Sequence, residues 1–198
     1  MTSSQTRDPA NVPKFVPHLV DSVRLDPVLR SDYEQLRELE HKADSNGVWR
    51  FGQQHLSPED YVASLWRGVA ANFIARSTTD PSPLGLVTLY NLDSGNMHAY
   101  MAAVGFEKRV RPRLQFMIAI ARAIDYSFDS FPLTKLYFEV PAPNLPQFGS
   151  MVGRIMHEEA RLRRHRFVRG EFVDQYILAI YANEWKQFHL SVGVEAQP

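Results

Sequence analysis

No cysteine occurs in the 198 residues of this chain. That excludes a disulfide framework, a thiolate metal site and a cysteine nucleophile. Net charge is missing too: Lys and Arg together number 22, and so do Asp and Glu. No global field therefore points to nucleic acid or to a membrane surface. No apolar run is long enough to span a bilayer, and the opening MTSSQTRDPANVPKF lacks the apolar core of a signal peptide. The seven histidines follow no metal-ligand spacing, so no metal is expected. These absences together predict a cytoplasmic protein with no nucleic-acid or membrane partner. What is present is a hydrophobic content of 44% with 12% aromatic residues, enough for the core of one domain at this length.

Residues 1–17 are polar and contain Pro9, Pro13 and Pro17, which reads as a mobile arm. A domain over 18–186 and a tail over 187–198 are expected to follow. Residues 19–25 predict a strand. Ser31 with Glu34 three residues later has the form of a capping box, so a helix is expected from there to about Ala43. Ser57, Pro58 and Asp60 start a second helix. Three strands are predicted over 72–77, 84–90 and 97–104. Leu114, Met117, Ile118, Ala121, Ile124 and Phe128 share a helical spacing and predict a buried stripe on a helix over 112–130. A central strand over 133–140 and a short helix around 145–155 come next. Two strands, 159–167 and 172–181, then fold back as a hairpin about Arg169-Gly170. Helices interleaved with a mixed, mostly antiparallel sheet place the chain in the α+β class.

The most informative stretch is Lys108 to Leu114, KRVRPRL. It follows a strand and opens a long helix, where unpaired N–H groups and the positive end of the helix dipole attract anions. Lys108, Arg109, Arg111 and Arg113 crowd that end, yet the glycines that let backbone wrap a phosphate are absent.

The order of elements resembles the GNAT superfamily of acyl-CoA-dependent N-acyltransferases. The run Glu158 to Phe167, then Arg169 to Asp174 and Tyr176 to Trp185, looks like the terminal hairpin of its ribosomal-protein N-acetyltransferase-like branch. Asn144 falls where that family has an asparagine after its fifth strand. The resemblance implies a donor loop of the form Gln/Arg-x-x-Gly-x-Gly/Ala. The match is Arg109-Val110-Arg111-Pro112-Arg113-Leu114, a degenerate phosphate loop with Pro112 and Leu114 in place of both glycines. Proline removes one N–H donor, leucine adds bulk at the expected approach of the pyrophosphate, and arginine forks offer bidentate phosphate contacts instead.

On that resemblance, acetyl-CoA or another acyl-CoA is the expected donor. It would be held by Ala103 and Val104 on the strand, by Arg109, Val110, Arg111, Arg113 and Leu114 at the helix start, and by Asn144. The family's usual acid, a tyrosine seven residues after the asparagine, is replaced by Met151; the adjacent Ser150 is the candidate acid. His98 lies near the position at which this branch often carries a glutamate, so it is the candidate base, and an unperturbed histidine titrates near neutral pH. A strand histidine satisfied by a backbone carbonyl is the alternative. Trp49, Arg50, Phe51 and His55 lie on the loop that would line the acceptor side, although Trp49 and Phe51 also suit a plug for the end of the core. Alternation puts Arg161, Arg163 and His165 on one face of the basic strand and Arg164 and Arg166 on the other, as a solvated edge or a seat for an acidic partner.

The expected function is acyl transfer from a CoA-type thioester to a primary amine by direct attack. The acceptor is a small-molecule or protein amine. An acyl carrier protein donor, a homodimer and a non-catalytic binding module of the same fold remain open alternatives.

Overall fold

The computed structural model describes residues 21–43, 54–149 and 151–191. The expected N-terminal arm lies outside them, as do the candidates Trp49, Arg50, Phe51 and Ser150. No helix among the described residues is long and apolar enough to cross a membrane.

Local signals place two helices differently. Ser57 accepts a hydrogen bond from the Asp60 amide at 3.1 Å and Pro58 opens helix α2, Pro58–Trp66, as its sequence dictates. Ser31 is not the cap of the preceding helix. It lies inside a short 3₁₀ turn, Arg30–Asp32, where the Leu29 amide donates to Asp32 at 2.8 Å; α1 then runs over Tyr33–Ala43. Tertiary structure selects Asp32, because Arg76 grips its other oxygen at 2.9 Å while also donating to Asp26 at 3.1 Å. The entry to α1 is thereby tied to β1, Val23–Pro27, and β2, Val69–Ser77.

Five further strands complete a seven-stranded sheet: β3, Pro83–Asp93; β4, His98–Gly105; β5, Lys135–Pro141; β6, His157–Val168; and β7, Glu171–Tyr181. The order is β1-β2-β3-β4-β5-β7-β6. Every neighbouring pair is antiparallel except β4 and β5. That parallel pair needs a crossover, supplied by helix α3, Val110–Ser130. The α+β class and the mixed, mostly antiparallel sheet are as expected.

Two further sequence expectations fail. Leu114 and Met117 are exposed, at 45% and 44%. The buried face of α3 instead carries Gln115, Phe116, Ile118, Ala119, Ala123 and Ile124, a stripe turned from the one periodicity suggested. Its phase is set where Phe116 meets the sheet. Gly85 and Gly105 are cross-strand partners, and a Cβ on Gly85 would lie 2.2 Å from the Phe116 ring. The segment after β5 is a 3₁₀ stretch, Ala142–Phe148, with Pro146 inside it, in place of a helix over 145–155; proline cannot support α-helical bonding there. β7 ends at Tyr181, as expected, and a fourth helix, α4, Ala182–Ser191, follows it. Trp185 anchors it by donating to Asp125 of α3 at 2.7 Å.

The turn between β6 and β7 is tight: Arg169 and Gly170 have φ of 50° and 86°, the left-handed pair that two-residue hairpin loops favour. Two clusters fill the faces of the sheet. One, beneath α3 and α4, includes Val87, Met101, Ile124, Leu136, Leu178 and Trp185. The other lies under α1 and α2 and gathers Leu36, Tyr61, Leu65, Ile74 and Leu86.

Candidate active site

β4 and β5 pair only through His98 with Lys135, Ala99 with Leu136 and Tyr100 with Tyr137. Beyond that point β4 continues to Gly105 against β3, and β5 continues to Pro141 against β7. The two strands therefore part, leaving a wedge in which the β5-facing backbone of β4 after Tyr100 has no ladder partner among the described residues. Ala102, Ala103 and Val104 line that edge and are half-buried. Small side chains leave room, and alternate N–H and C=O groups of an extended strand point into the gap. An extended amide-bearing chain would be held there as a strand is held.

The N-terminus of α3 follows the same strand. Arg109 is its cap residue, and the Arg113 amide already donates to the Arg109 carbonyl at 3.2 Å. Helix geometry commits the Leu114 amide in the same way, and Pro112 has none, so Arg109, Val110 and Arg111 supply the remaining amide donors of the first turn. Arg113 and Leu114, both among the expected donor contacts, therefore have their amides engaged within the helix. The Arg109 side chain is 73% exposed and pairs with Glu107 at 3.0 Å. Lys108 and Arg113 are exposed. Asn144 sits in the 3₁₀ stretch after β5, where its side-chain oxygen faces Gln147 at 3.5 Å.

The face of the sheet beside α1 and α2 carries the titratable groups. Tyr90, Tyr100 and Tyr137 stand in one row across β3, β4 and β5. Neighbouring ring centroids are 5.6 Å and 5.2 Å apart. Tyr90 reaches diagonally across β4 and donates to Glu139 at 3.1 Å. Gln175, buried at 3% exposure, donates to the other oxygen of the same carboxylate at 3.1 Å. Glu139 lies two residues beyond Tyr137 on β5, so its carboxylate stands at the mouth of the wedge between two neutral donors. Burial, and then the Glu139 charge, push the Tyr90 and Tyr100 phenols up from their usual range. Both remain protonated near neutral pH and act as donors and aromatic walls.

His98 shares this face at the closed end of the pair. Its ring packs edge-on against Tyr137 at 5.4 Å and Tyr100 at 6.2 Å. Beside it Glu159 is held by Lys135 at 3.0 Å, by the Tyr137 hydroxyl at 2.8 Å and by the Tyr181 hydroxyl. Burial works against ionisation of Glu159, but those bonds outweigh it and hold the carboxyl below its ordinary range. His55 is exposed just before α2, its ring 6.0 Å from His41.

The expected alternation along β6 is broken. Leu162 partners Gln175 and Arg166 partners Val173, which leaves extra residues bulged between them, with Arg164 at φ 51°. Asp174 stabilises the bulge by accepting from the Arg164 amide at 2.8 Å and from Arg161 at 2.7 Å. Arg161 is therefore a structural partner, and Arg164 lies over the Phe172 ring at 5.9 Å.

Sequence reasoning missed Glu139, Tyr90 and Gln175. One signal was available: Lys135, Tyr137 and Glu139 recur every second residue in a strand read as central. Polar groups on one face of a central strand need a reason other than solvent.

No protein-family model matches this sequence, and no curated protein is similar to it in sequence. Solved structures do match in fold. Spermidine N-acetyltransferase from Vibrio cholerae, in complex with CoA and spermine, superposes with a TM-score of 0.68 at 20% identity, over 83% of this chain and 98% of that one. The spermidine/spermine N-acetyltransferase SpeG of the same organism, with manganese ions, gives 0.64 at 20% identity over 87% and 99%. The chain has the GNAT fold.

Proposed function

We propose that this protein transfers an acyl group from a CoA-type thioester to a primary amine, with the donor in the wedge between β4 and β5 and the acceptor on the tyrosine-lined face. The observation that carries the reading is Glu139, a carboxylate held by two neutral donors where the strands part. An ammonium arriving there meets an anion that binds it and takes its proton. The neutral nitrogen attacks the thioester carbon; the C–N bond forms, the C–S bond breaks, and the proton that the nitrogen then sheds balances the one taken up by the departing thiolate. Two chain segments support the donor side. The unpaired edge at Ala103 and Val104 suits an extended pantetheine-like arm. The first turn of α3 suits phosphate through the Arg109, Val110 and Arg111 amides together with the Lys108, Arg109 and Arg113 charges. The solved relatives of this fold, one of them complexed with CoA and spermine, agree with a thioester donor and an amine acceptor. Glu139 replaces His98 as the proposed base because His98 lies behind the point of separation. Ser150 remains the proposed source of a proton for the leaving sulfur.

A carrier-protein donor is the second reading. It is favoured by the loss of amide donors at Pro112 and Arg113, since a carrier-linked phosphopantetheine presents one phosphate where CoA presents three. Calorimetric titration with acetyl-CoA, desulfo-CoA and an acylated carrier protein tests both. Saturable binding of the CoA ligands supports the first reading; binding of the carrier-linked donor alone supports the second. If none binds, transfer is ruled out and the fold serves as a binding module.

A further inference from the structure

A second opening lies on the other side of the start of α3. A cavity of about 310 Å³ is bounded by the end of β2, the turn into β3 and the first turns of α3, and its described lining includes no residue of β5. Gln115 forms part of the wall and is only 4% exposed. Its side-chain amide donates to the Ser22 and Ser77 hydroxyls, at 3.1 Å and 3.2 Å, and to the Ser22 carbonyl at 3.4 Å, which commits both N–H groups. Among the described residues no group donates to its Oε1. None of their buried side-chain polar atoms lacks a hydrogen-bond partner, so that oxygen is not sealed in the core and faces the cavity.

The rest of the wall is rich in acceptors and short of donors. Asp80 and Glu107 bring two carboxylates, and hydrogen bonds from Ser82 hold the Asp80 carboxyl below its ordinary range. Pro83 and Pro112 have no N–H to offer. The Ser82 amide is engaged by Asp80 at 2.9 Å and the Thr79 amide by Ser77 at 3.3 Å. Leu84 and the two proline rings supply apolar wall. The one cation among the described lining residues is Arg109. It stands at the rim, 73% exposed and paired with Glu107 at 3.0 Å, and its charge also reaches Asp80. An anionic ligand would meet two like charges and few donors. A guanidinium or ammonium brings several N–H donors and a charge that both carboxylates attract. It would compete with Arg109 for them and supply the Gln115 oxygen with the donor that Arg109 does not. We propose that this cavity is a second ligand site, distinct from the wedge, for a small organic cation with a short apolar body, an alkylguanidinium or alkylammonium, and that Arg109 at its rim is a built-in competitor.

Three probes of similar size test it by calorimetric titration of the full chain without donor: butylguanidinium, its neutral isostere butylurea, and the anion pentanoate. Butylguanidinium should bind at least ~10-fold more tightly than either of the others, as charge-assisted hydrogen bonds imply. Asp80→Asn combined with Glu107→Gln should weaken its binding by at least ~10-fold. Arg109→Ala removes the competitor and should tighten it by ~2–5-fold, the scale of one exposed ion pair. Glu139→Gln should leave it unchanged. In the wild type the side-chain amide signal of Gln115 should shift during an NMR titration, a readout that needs no substitution in the core. Absence of cation binding overturns the proposal, as does butylurea binding equally well. So do unchanged affinity in the doubly substituted variant, weaker binding in Arg109→Ala, and a still Gln115 signal. Loss of binding in Glu139→Gln would put the cation on the acceptor face and overturns it too. None of these readouts uses thiol release or a donor, so failure of the transfer reading and failure of the cavity site are told apart.

Discussion

The two ends of the β4–β5 pair use the same residue types to opposite effect. At the closed end Lys135, Glu159, Tyr137 and Tyr181 form a saturated cluster, each charge meeting an opposite charge or a hydroxyl. At the open end Glu139 is held by a phenol and an amide, and β4 no longer pairs with β5. A saturated cluster at a sheet edge contributes to stability and has little attraction left for a ligand. The carboxylate at the open end is instead positioned beside the gap by hydrogen bonds from two neutral groups.

The sharpest way to break this comparison is to exchange the two candidate bases. Glu139→Gln should lower kcat by ~10²-fold or more, the range for loss of a general base, with the melting temperature nearly unchanged. His98→Gln should leave kcat within ~10-fold and act chiefly on stability, through lost packing on Tyr100 and Tyr137. Steady-state kinetics and thermal melts of both variants decide it; a ~10²-fold loss in His98→Gln alone would return the base to the closed end.

Next in size is the seat of α3 beside the wedge. Gly85→Ala places a methyl against the Phe116 ring and the Val104 carbonyl, and overpacking of this kind costs about 1–3 kcal/mol. Gly105→Ala, whose Cβ would stand 3.1 Å from the same ring, should cost less. Chemical denaturation of both tests the order; equal losses would mean that α3 shifts freely on the sheet.

A smaller effect is expected at the helix start. The Arg109 side chain is exposed and already paired with Glu107, so Arg109→Ala should weaken donor binding by only ~2–10-fold. The difference from wild type should shrink as salt rises, because exposed charges are screened over about 10 Å at 0.1 M. Titrations at low and high salt check this, and a salt-independent loss would place the phosphate in a more enclosed site.

The smallest effect belongs to the closed end. Because the folded-state carboxyl of Glu159 is held below its ordinary range, its contribution to stability is present above that range and is lost as pH falls through the folded value. Glu159→Gln should therefore lower the melting temperature near neutral pH and converge with wild type in acid. Parallel curves at every pH would show that the cluster contributes no linked charge.

Much of this was legible in sequence because it is local. The Ser57 cap, the hairpin turn at Arg169-Gly170 and the cationic start of α3 depend on neighbours a few residues apart. The Ser31 cap and the stripe on α3 were misread for one reason: residues distant in sequence chose differently. Arg76 claims Asp32, and Gly85 with Gly105 sets the face that Phe116 presents. The bulge in β6 was invisible because Asp174, ten residues from Arg164, stabilises it across the hairpin.

The sequence by itself determined the α+β class, the long helix between two of the strands, and the absence of cysteine chemistry. These follow from periodicity, composition and turn residues, which act over short stretches of chain. Tertiary structure alone decided where β4 leaves β5, and so which polar residue stands at the opening. Glu139, Tyr90 and Gln175 come from three strands and meet only because register across the sheet aligns them. Register is a property of paired strands, and the order of residues along any one of them does not specify it.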